Sequence, residues 1–195
     1  MPYILMGSLA FLLFIIYDIN SVTVDYRPLR GGFFLGCLLL IAATVEIISS
    51  SIANMGGLTG RTAGFSALAC IFLILLVYTL FFAIPFKKTY IKPNQRPETC
   101  TTGIYALSRH PGVLWFVGFY FSLWLALSGS LLLTAAILFC LLNLFYIILQ
   151  DRWVFMKIFA DYGDYKKTTP FLIPNYRSLR RCVQTFHRTA WGGTS

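Results

Sequence analysis

The sequence predicts an all-α, polytopic membrane helical bundle, and the evidence is its low charge and its long apolar runs. Of 195 residues, 57% are hydrophobic and only 12% are charged, whereas charged residues make up about 25% of an average soluble domain. Nearly uncharged apolar runs of roughly 18 or more residues are typical of membrane-spanning helices. About five such runs are present, at 2–17, 31–53, 63–86, 111–128 and 130–149. We therefore predict one membrane-embedded domain over residues 1–174.

The basic residues predict the orientation of the chain in the membrane. Loop 87–110 carries five Lys or Arg against one Glu, and segment 151–195 carries eight against three Asp. Because basic residues that flank spans face the cytoplasm, we place this loop and the C-terminus in the cytoplasm and the N-terminus outside. The first run lacks the basic region and the cleavage site of a signal peptide, so we expect a retained span. This pattern fits both a bacterial inner membrane and the endoplasmic reticulum membrane.

The first run is short for a span, which favours a tilted or partly interfacial helix. The second run contains Glu46. A carboxylate at membrane depth costs at least about 2.5 kcal/mol, so it normally faces a bundle interior or a wet cavity beside a partner. Two interpretations stay open: a protonated acid bonded to Ser or Asn on a neighbouring helix, or an acid that contacts a ligand. We take Glu46 as a candidate catalytic acid on the substrate side.

The start of the fourth run combines polar groups with a helix-starting proline, in the order Arg109-His110-Pro111. Pro111 fits the first helical turn, where its missing N–H costs nothing. The start of that helix offers amide donors and the positive end of the helix dipole. The alternative is a basic linker whose Arg and His reach lipid headgroups.

The C-terminal segment 175–195 predicts a basic cytoplasmic amphipathic tail. One helical face is apolar and comprises Tyr176, Leu179, Val183 and Phe186. The residues that flank it are Arg177, Arg180, Arg181 and Arg188. Such a helix is typical of a membrane surface, so we expect anionic lipid headgroups as partners and no nucleic acid. Segment 150–174 mixes charges with aromatic residues, which is also compatible with an interfacial helix.

The five cysteines are scattered and lack the spacing of a zinc or redox pair. We expect neither a structural disulfide nor a bound metal.

Two motifs flank the predicted hairpin of runs four and five. The first is Gly-x-Tyr-x-x-x-Arg-His-Pro, residues 103–111, and the second is F-x-x-Y-x-x-Y-x-x-x-T-P-x-x-I-P, residues 159–174. In this order they resemble the isoprenylcysteine carboxyl methyltransferase superfamily, which includes phospholipid N-methyltransferases and related small integral methyltransferases. The resemblance covers a little over a third of the chain.

The resemblance implies S-adenosylmethionine in a cytoplasmic pocket and a lipophilic or membrane-embedded acceptor that enters through the bilayer. It also implies that Tyr105, Arg109 and His110 line the cofactor site, with Asp151 as the acidic partner across from them. The full set of implied cofactor-binding residues is Gly103, Tyr105, Arg109, His110, Pro111, Gln150, Asp151, Tyr162 and Tyr165. We assign catalytic roles to Arg109 and Glu46.

Three departures from the family's usual pattern keep other functions open. Gln150-Asp151 stands where the family has two glutamates, Val113 where it commonly has tyrosine, and Ala160 where it has glycine. The run Phe159 to Tyr162 also resembles membrane steroid 5α-reductases, which use NADPH.

In that alternative, Glu46 polarises an enone carbonyl. The basic residues available for the 2′-phosphate are Lys87, Lys88 and Arg96. A third alternative is a non-catalytic relative that binds lipid or a partner protein.

Overall fold

A computed structural model describes residues 1–83 and 96–191 of the chain, with side chains as far as Thr185. Within these residues every regular element is helical, which confirms the all-α prediction. The α-helices are α1 Pro2–Val22, α2 Gly32–Ala53, α3 Gly60–Val77, α4 Ile104–Leu107, α5 Pro111–Leu127, α6 Ser130–Leu149, α7 Phe155–Ile158, α8 Tyr162–Thr168 and α9 Tyr176–Trp191. A 3₁₀ turn at Arg27–Gly31 precedes α2, and π-helical turns at Tyr78–Phe82 and Gln150–Val154 continue α3 and α6.

Within the described ranges, four helices are long and apolar enough to cross a membrane. They are Pro2–Val22, Arg27–Ala53, Gly60–Phe82 and Ser130–Ile158. The helix α5 is also apolar but has 17 residues, a rise of about 25 Å, which is at the lower limit for a span. The end of the predicted third span, 84–86, and the loop residues 87–95 lie outside the described residues.

The helix α1 is longer than the predicted run, which ended at residue 17. It has 21 residues and continues through Asp18 and Asn20 to Val22. The Asn20 side chain closes the following turn, because its Nδ2 donates to the Tyr26 carbonyl (3.1 Å) and its Oδ1 accepts from the Tyr26 amide (2.9 Å). Polar residues that indicated a loop therefore extend the helix to about 31 Å, and the first span is not short.

The chain packs as two compact units. The first comprises Met1–Leu73 and Phe116–Val154, and the second comprises Ile74–Trp115 and Phe155–Ser195. The predicted division into a membrane domain, 1–174, and a cytoplasmic tail, 175–195, stays a prediction. The predicted tail belongs to the second unit, where α9 packs against α4.

The core of the first unit is aromatic and tightly packed. The Phe11 ring lies 5.8 Å from Phe14, 6.1 Å from Phe116 and 6.1 Å from Phe139, measured between ring centroids. A Cβ on Gly7 would lie 2.1 Å from the Phe139 ring. The glycine therefore permits the close approach of α1 and α6, as small residues do between membrane helices.

In the second unit, α4 and α8 supply the core, with Ile104, Ala106, Tyr162 and Tyr165 all buried. The segment before α4 is held on the start of α8, because Asp161 Oδ1 accepts from the Thr99 amide at 2.8 Å. Both motif segments of the sequence, 103–111 and 159–174, belong to this unit.

Candidate functional site

The predicted site residues divide between the two units. The first unit contains Glu46, Gln150 and Asp151. The second contains the two motif segments, with Gly103, Tyr105, Arg109, His110, Pro111, Tyr162 and Tyr165.

Gly103 starts the first motif with a backbone that L-residues rarely adopt. Its φ is +61° and its ψ is −134°, a combination essentially restricted to glycine. The residue is buried, and its amide donates to Thr185 Oγ1 at 2.9 Å. The glycine thus turns the chain into α4, the helix that carries Tyr105.

Tyr105 anchors the motif on the end of α3. Its hydroxyl donates to the Thr79 carbonyl at 3.0 Å, and Trp115 Nε1 donates to Thr79 Oγ1 at 3.0 Å. Burial raises the pKa of Tyr105 well above the ordinary value for tyrosine, so the hydroxyl stays protonated and remains a donor. In this arrangement Tyr105 positions the motif.

Tyr165, which lies on α8, also anchors the first motif. Its hydroxyl donates to the Tyr105 carbonyl at 2.6 Å and lies 3.4 Å from the Ser108 carbonyl. Its ring is buried beside the Tyr162 ring, with centroids 5.7 Å apart. This hydrogen bond connects the second motif to the main chain of the first motif and therefore fixes the end of α4.

The residues between α4 and α5 lie beside the Thr-Pro part of the second motif, and Ser108 among them has an extended backbone. The Arg109 amide donates to the Pro170 carbonyl at 3.0 Å, and Ser108 Oγ donates to the Phe171 carbonyl at 3.1 Å. Ser108 Oγ also accepts from the His110 amide at 3.2 Å. The two motifs, some sixty residues apart, are therefore joined by a main-chain hydrogen bond and by a hydrogen bond from the Ser108 side chain.

Aromatic rings surround the Arg-His pair. The imidazole of His110 is stacked on Phe155, with centroids 5.8 Å apart and planes at 11°, and meets the edge of Phe171 at 5.2 Å. The guanidinium carbon of Arg109 lies 5.5 Å from the Phe171 centroid, which is within cation–π range. Arg109 Nε and Nη1 and His110 Nε2 are shielded from solvent.

These groups fit the chemical parts of S-adenosylmethionine. A guanidinium suits a carboxylate, an imidazole suits a polar hydroxyl or amine, and aromatic faces suit a sulfonium cation. The second unit supplies all three types within one cluster: Arg109, His110, and the rings of Phe155 and Phe171. An arginine beside aromatic rings also suits a nucleotide phosphate, so the same cluster is compatible with NADPH.

In the first unit, Gln150 is hydrogen-bonded to Asp18, which the sequence did not indicate as a site residue. Gln150 Nε2 donates to Asp18 Oδ2 at 2.8 Å, and the Tyr146 hydroxyl is also bonded to Asp18. Asp18 is buried at the end of α1. The sequence did contain a signal for this acid. Asp18 directly follows a 16-residue apolar run, and an acid beside a membrane span normally has a partner.

Asp151 is buried in the first unit, with 5% of its surface exposed. Asp151 lies within the π-helical turn Gln150–Val154 and takes part in a polar interaction there, as a buried carboxylate requires, since burying an unbonded one is expensive. Its predicted role as partner of the cofactor amine stays a prediction.

Glu46 does not lie where the sequence predicted. Its side chain is exposed on α2, and it forms no hydrogen bond or ion pair with any residue that the structure describes. The buried face of α2 comprises Gly36, Ala43, Ile47 and Ser51. Glu46 is one residue before Ile47, about 100° around the helix, so the predicted interior position is wrong for the single chain. Its catalytic role stays a prediction.

No group of three or more His, Cys, Asp or Glu side chains in residues 1–83 and 96–185 is arranged to hold a metal ion. All five cysteines are free.

Comparisons of the chain with protein-family models, with curated proteins and with solved structures gave no match. The resemblance of residues 103–174 to the isoprenylcysteine carboxyl methyltransferase superfamily therefore rests on the motif residues themselves.

Proposed function

We propose that the chain is an S-adenosylmethionine-dependent membrane methyltransferase whose acceptor is lipophilic or embedded in the bilayer. The observation that supports this most is the junction in the second unit, where the Arg109 amide donates to the Pro170 carbonyl. Two motifs that resemble one family are brought together there in a single polar and aromatic cluster. Four helices with the length and composition of membrane spans suit an acceptor that stays in the lipid.

In this proposal the residues of the chain bind and orient, and the cofactor supplies an activated methyl group. Arg109 holds the carboxylate end, and His110 donates a hydrogen bond. The faces of Phe155 and Phe171 stabilise the positive sulfonium. Holding donor and acceptor in line can lower a barrier by about 7–11 kcal/mol without metal or covalent chemistry. The positive-inside pattern of the sequence supports a cytoplasmic position for this cluster.

The test is calorimetric titration of the purified, detergent-solubilised chain with S-adenosylhomocysteine and, in parallel, with NADPH. We expect saturable binding of S-adenosylhomocysteine alone. Arg109→Gln is expected to weaken it about tenfold or more, as the loss of a charge-assisted hydrogen bond does. The matched control is Arg152→Gln, which removes the same charge from an exposed position.

The other two outcomes would each indicate a different function for the chain. Binding of NADPH alone would identify a reductase of a lipophilic enone. Binding of neither ligand by a folded sample would identify a non-catalytic relative that binds lipid or a partner.

A further inference from the structure

The helix α9 begins at a defined point because two side chains cap it reciprocally. Asn175 Oδ1 accepts from the Ser178 amide at 2.9 Å, and Ser178 Oγ accepts from the Asn175 amide at 3.0 Å. This is the pattern of a capping box. The helix is therefore a fixed element of the second unit and not a loose tail.

The polar side of α9 faces the protein. Ser178, Arg181 and Thr185 recur at positions i, i+3 and i+7, which places them on one face. Arg181 Nη2 donates to the Thr168 carbonyl at 2.9 Å, and Thr185 Oγ1 accepts from the Gly103 amide at 2.9 Å. This face thus holds both segments of the candidate site, one at Gly103 and the other at the end of α8.

The apolar side of α9 faces outward. Tyr176, Leu179 and Val183 share the opposite face, and they are 79%, 52% and 57% exposed. Ile173, just before the helix, is 80% exposed. A helix on the surface of a soluble protein normally buries its apolar side and exposes its polar side. In α9 the arrangement is reversed, so the apolar face needs a cover that the described residues of the second unit do not provide.

Basic residues adjoin this exposed face. Arg177 and Arg180 are exposed and lie along one edge of the apolar stripe. An apolar stripe edged by arginine matches the boundary of an anionic bilayer, where acyl chains receive the apolar side chains and headgroups receive the charges. A protein partner or a second copy could cover apolar side chains, but the adjoining positive charges favour a surface with a negative potential.

We propose that α9 rests its outward face on an anionic membrane surface, and that this contact holds the two segments of the candidate site in place. The contact itself is independent of the chemistry at the site. Its regulatory consequence rests on the proposed function, because it concerns the same Gly103 and Thr168 segments. Binding at the site should then depend on the charge of the surrounding lipid.

The first experiment identifies what covers α9. The full chain is reconstituted in nanodiscs of phosphatidylcholine alone or mixed with phosphatidylglycerol, with a photoreactive amino acid in place of Leu179. The same group at Asp164, an exposed polar position, serves as the control. We expect adducts with lipid from position 179 only, enriched in phosphatidylglycerol. Each of Arg177→Gln and Arg180→Gln should lower that enrichment roughly five-fold. Adducts with a second copy of the chain, or no lipid adduct, would overturn the proposal.

The second experiment tests the connection to the site by hydrogen exchange of the Gly103 amide. Thr185→Val should accelerate this exchange about five-fold, the effect of one lost hydrogen bond, whereas Thr185→Ser should preserve the slow rate. Leu179→Gln should accelerate it only in discs that contain phosphatidylglycerol. Equal rates in both kinds of disc would overturn the regulatory step. Calorimetry with S-adenosylhomocysteine reports separately on the proposed function, so the two failures are distinguishable.

Discussion

The hydroxyl of Tyr165 donates a 2.6 Å hydrogen bond to the main-chain carbonyl of Tyr105, sixty positions earlier in the chain. The family resemblance implied that both tyrosines bind the cofactor. In the structure, each hydroxyl donates to a main-chain carbonyl of the second unit. In this structure the two residues therefore position the motif that carries Arg109 and His110.

Tyr165→Phe should destabilise the second unit by about 1–3 kcal/mol, because it removes the donor to the partly buried Tyr105 carbonyl. Affinity for S-adenosylhomocysteine should fall together with stability. The measurement is thermal unfolding in detergent, combined with calorimetry. The matched control is Tyr176→Phe, which deletes an exposed hydroxyl and should change neither quantity. A fall in affinity with unchanged unfolding would instead make Tyr165 a direct ligand contact.

Gln150→Leu should destabilise the first unit by about 1–3 kcal/mol, since it leaves the buried Asp18 carboxyl with one donor fewer. Gln150→Glu should also destabilise it, because two acidic groups would face each other. Affinity for S-adenosylhomocysteine should be unchanged in Gln150→Leu under conditions where it is folded. Asn143→Leu, elsewhere on α6, is the control for an amide-to-leucine change. A selective loss of affinity would return Gln150 to the predicted cofactor site.

The sequence predicted those features of the fold that depend on the adjacent residues. Pro111 and Ser130 mark helix starts that agree with the structure, because a proline and a Ser-Gly-Ser turn act on the adjacent backbone. The buried face of α2 was not predictable, since a helix that is apolar all round has no periodicity to show which side packs. The partner of Gln150 was not predictable either, because Asp18 lies on another helix and no local pattern connects the two.

Glu46→Leu should improve insertion of the α2 segment by at least about 2.5 kcal/mol, because an exposed carboxyl in a membrane span is unfavourable. Glu46→Gln should improve it less, since the amide remains polar. The measurement is the inserted fraction of the segment in a glycosylation assay, with Val45→Leu as a neutral control on the same exposed side. Turnover of Glu46→Gln decides the other question: unchanged turnover would remove Glu46 from the catalytic residues.

The pair Asp164–Lys167 should make a small, pH-dependent contribution on the surface of α8. Lys167 Nζ lies 2.8 Å from Asp164 Oδ1 and holds the pKa of that carboxyl below its ordinary value of 3.8. Because the folded pKa is lowered, the contribution is present above about 3.8 and is lost as the pH falls through the lowered value. Lys167→Gln should therefore lower stability slightly at neutral pH and have no effect in strong acid. Both groups are exposed, so added salt should reduce the difference. An equal effect of Lys167→Gln at both pH values would exclude the ion pair as its cause.

Gly103→Ala should destabilise the second unit by about 1–3 kcal/mol, because a Cβ at φ +61° and ψ −134° strains the turn into α4. The same strain should displace the Gly103 amide from Thr185 and weaken S-adenosylhomocysteine binding. Gly163→Ala is the matched control. It lies within α8, nothing lies within 4 Å of a Cβ placed there, and alanine favours a helix over glycine. It should be neutral or stabilising by up to about 1 kcal/mol. Equal thermal shifts for the two variants would show that the φ of Gly103 does not control the turn. If Gly103→Ala loses binding and Gly163→Ala does not, the turn into α4 contributes to the candidate site.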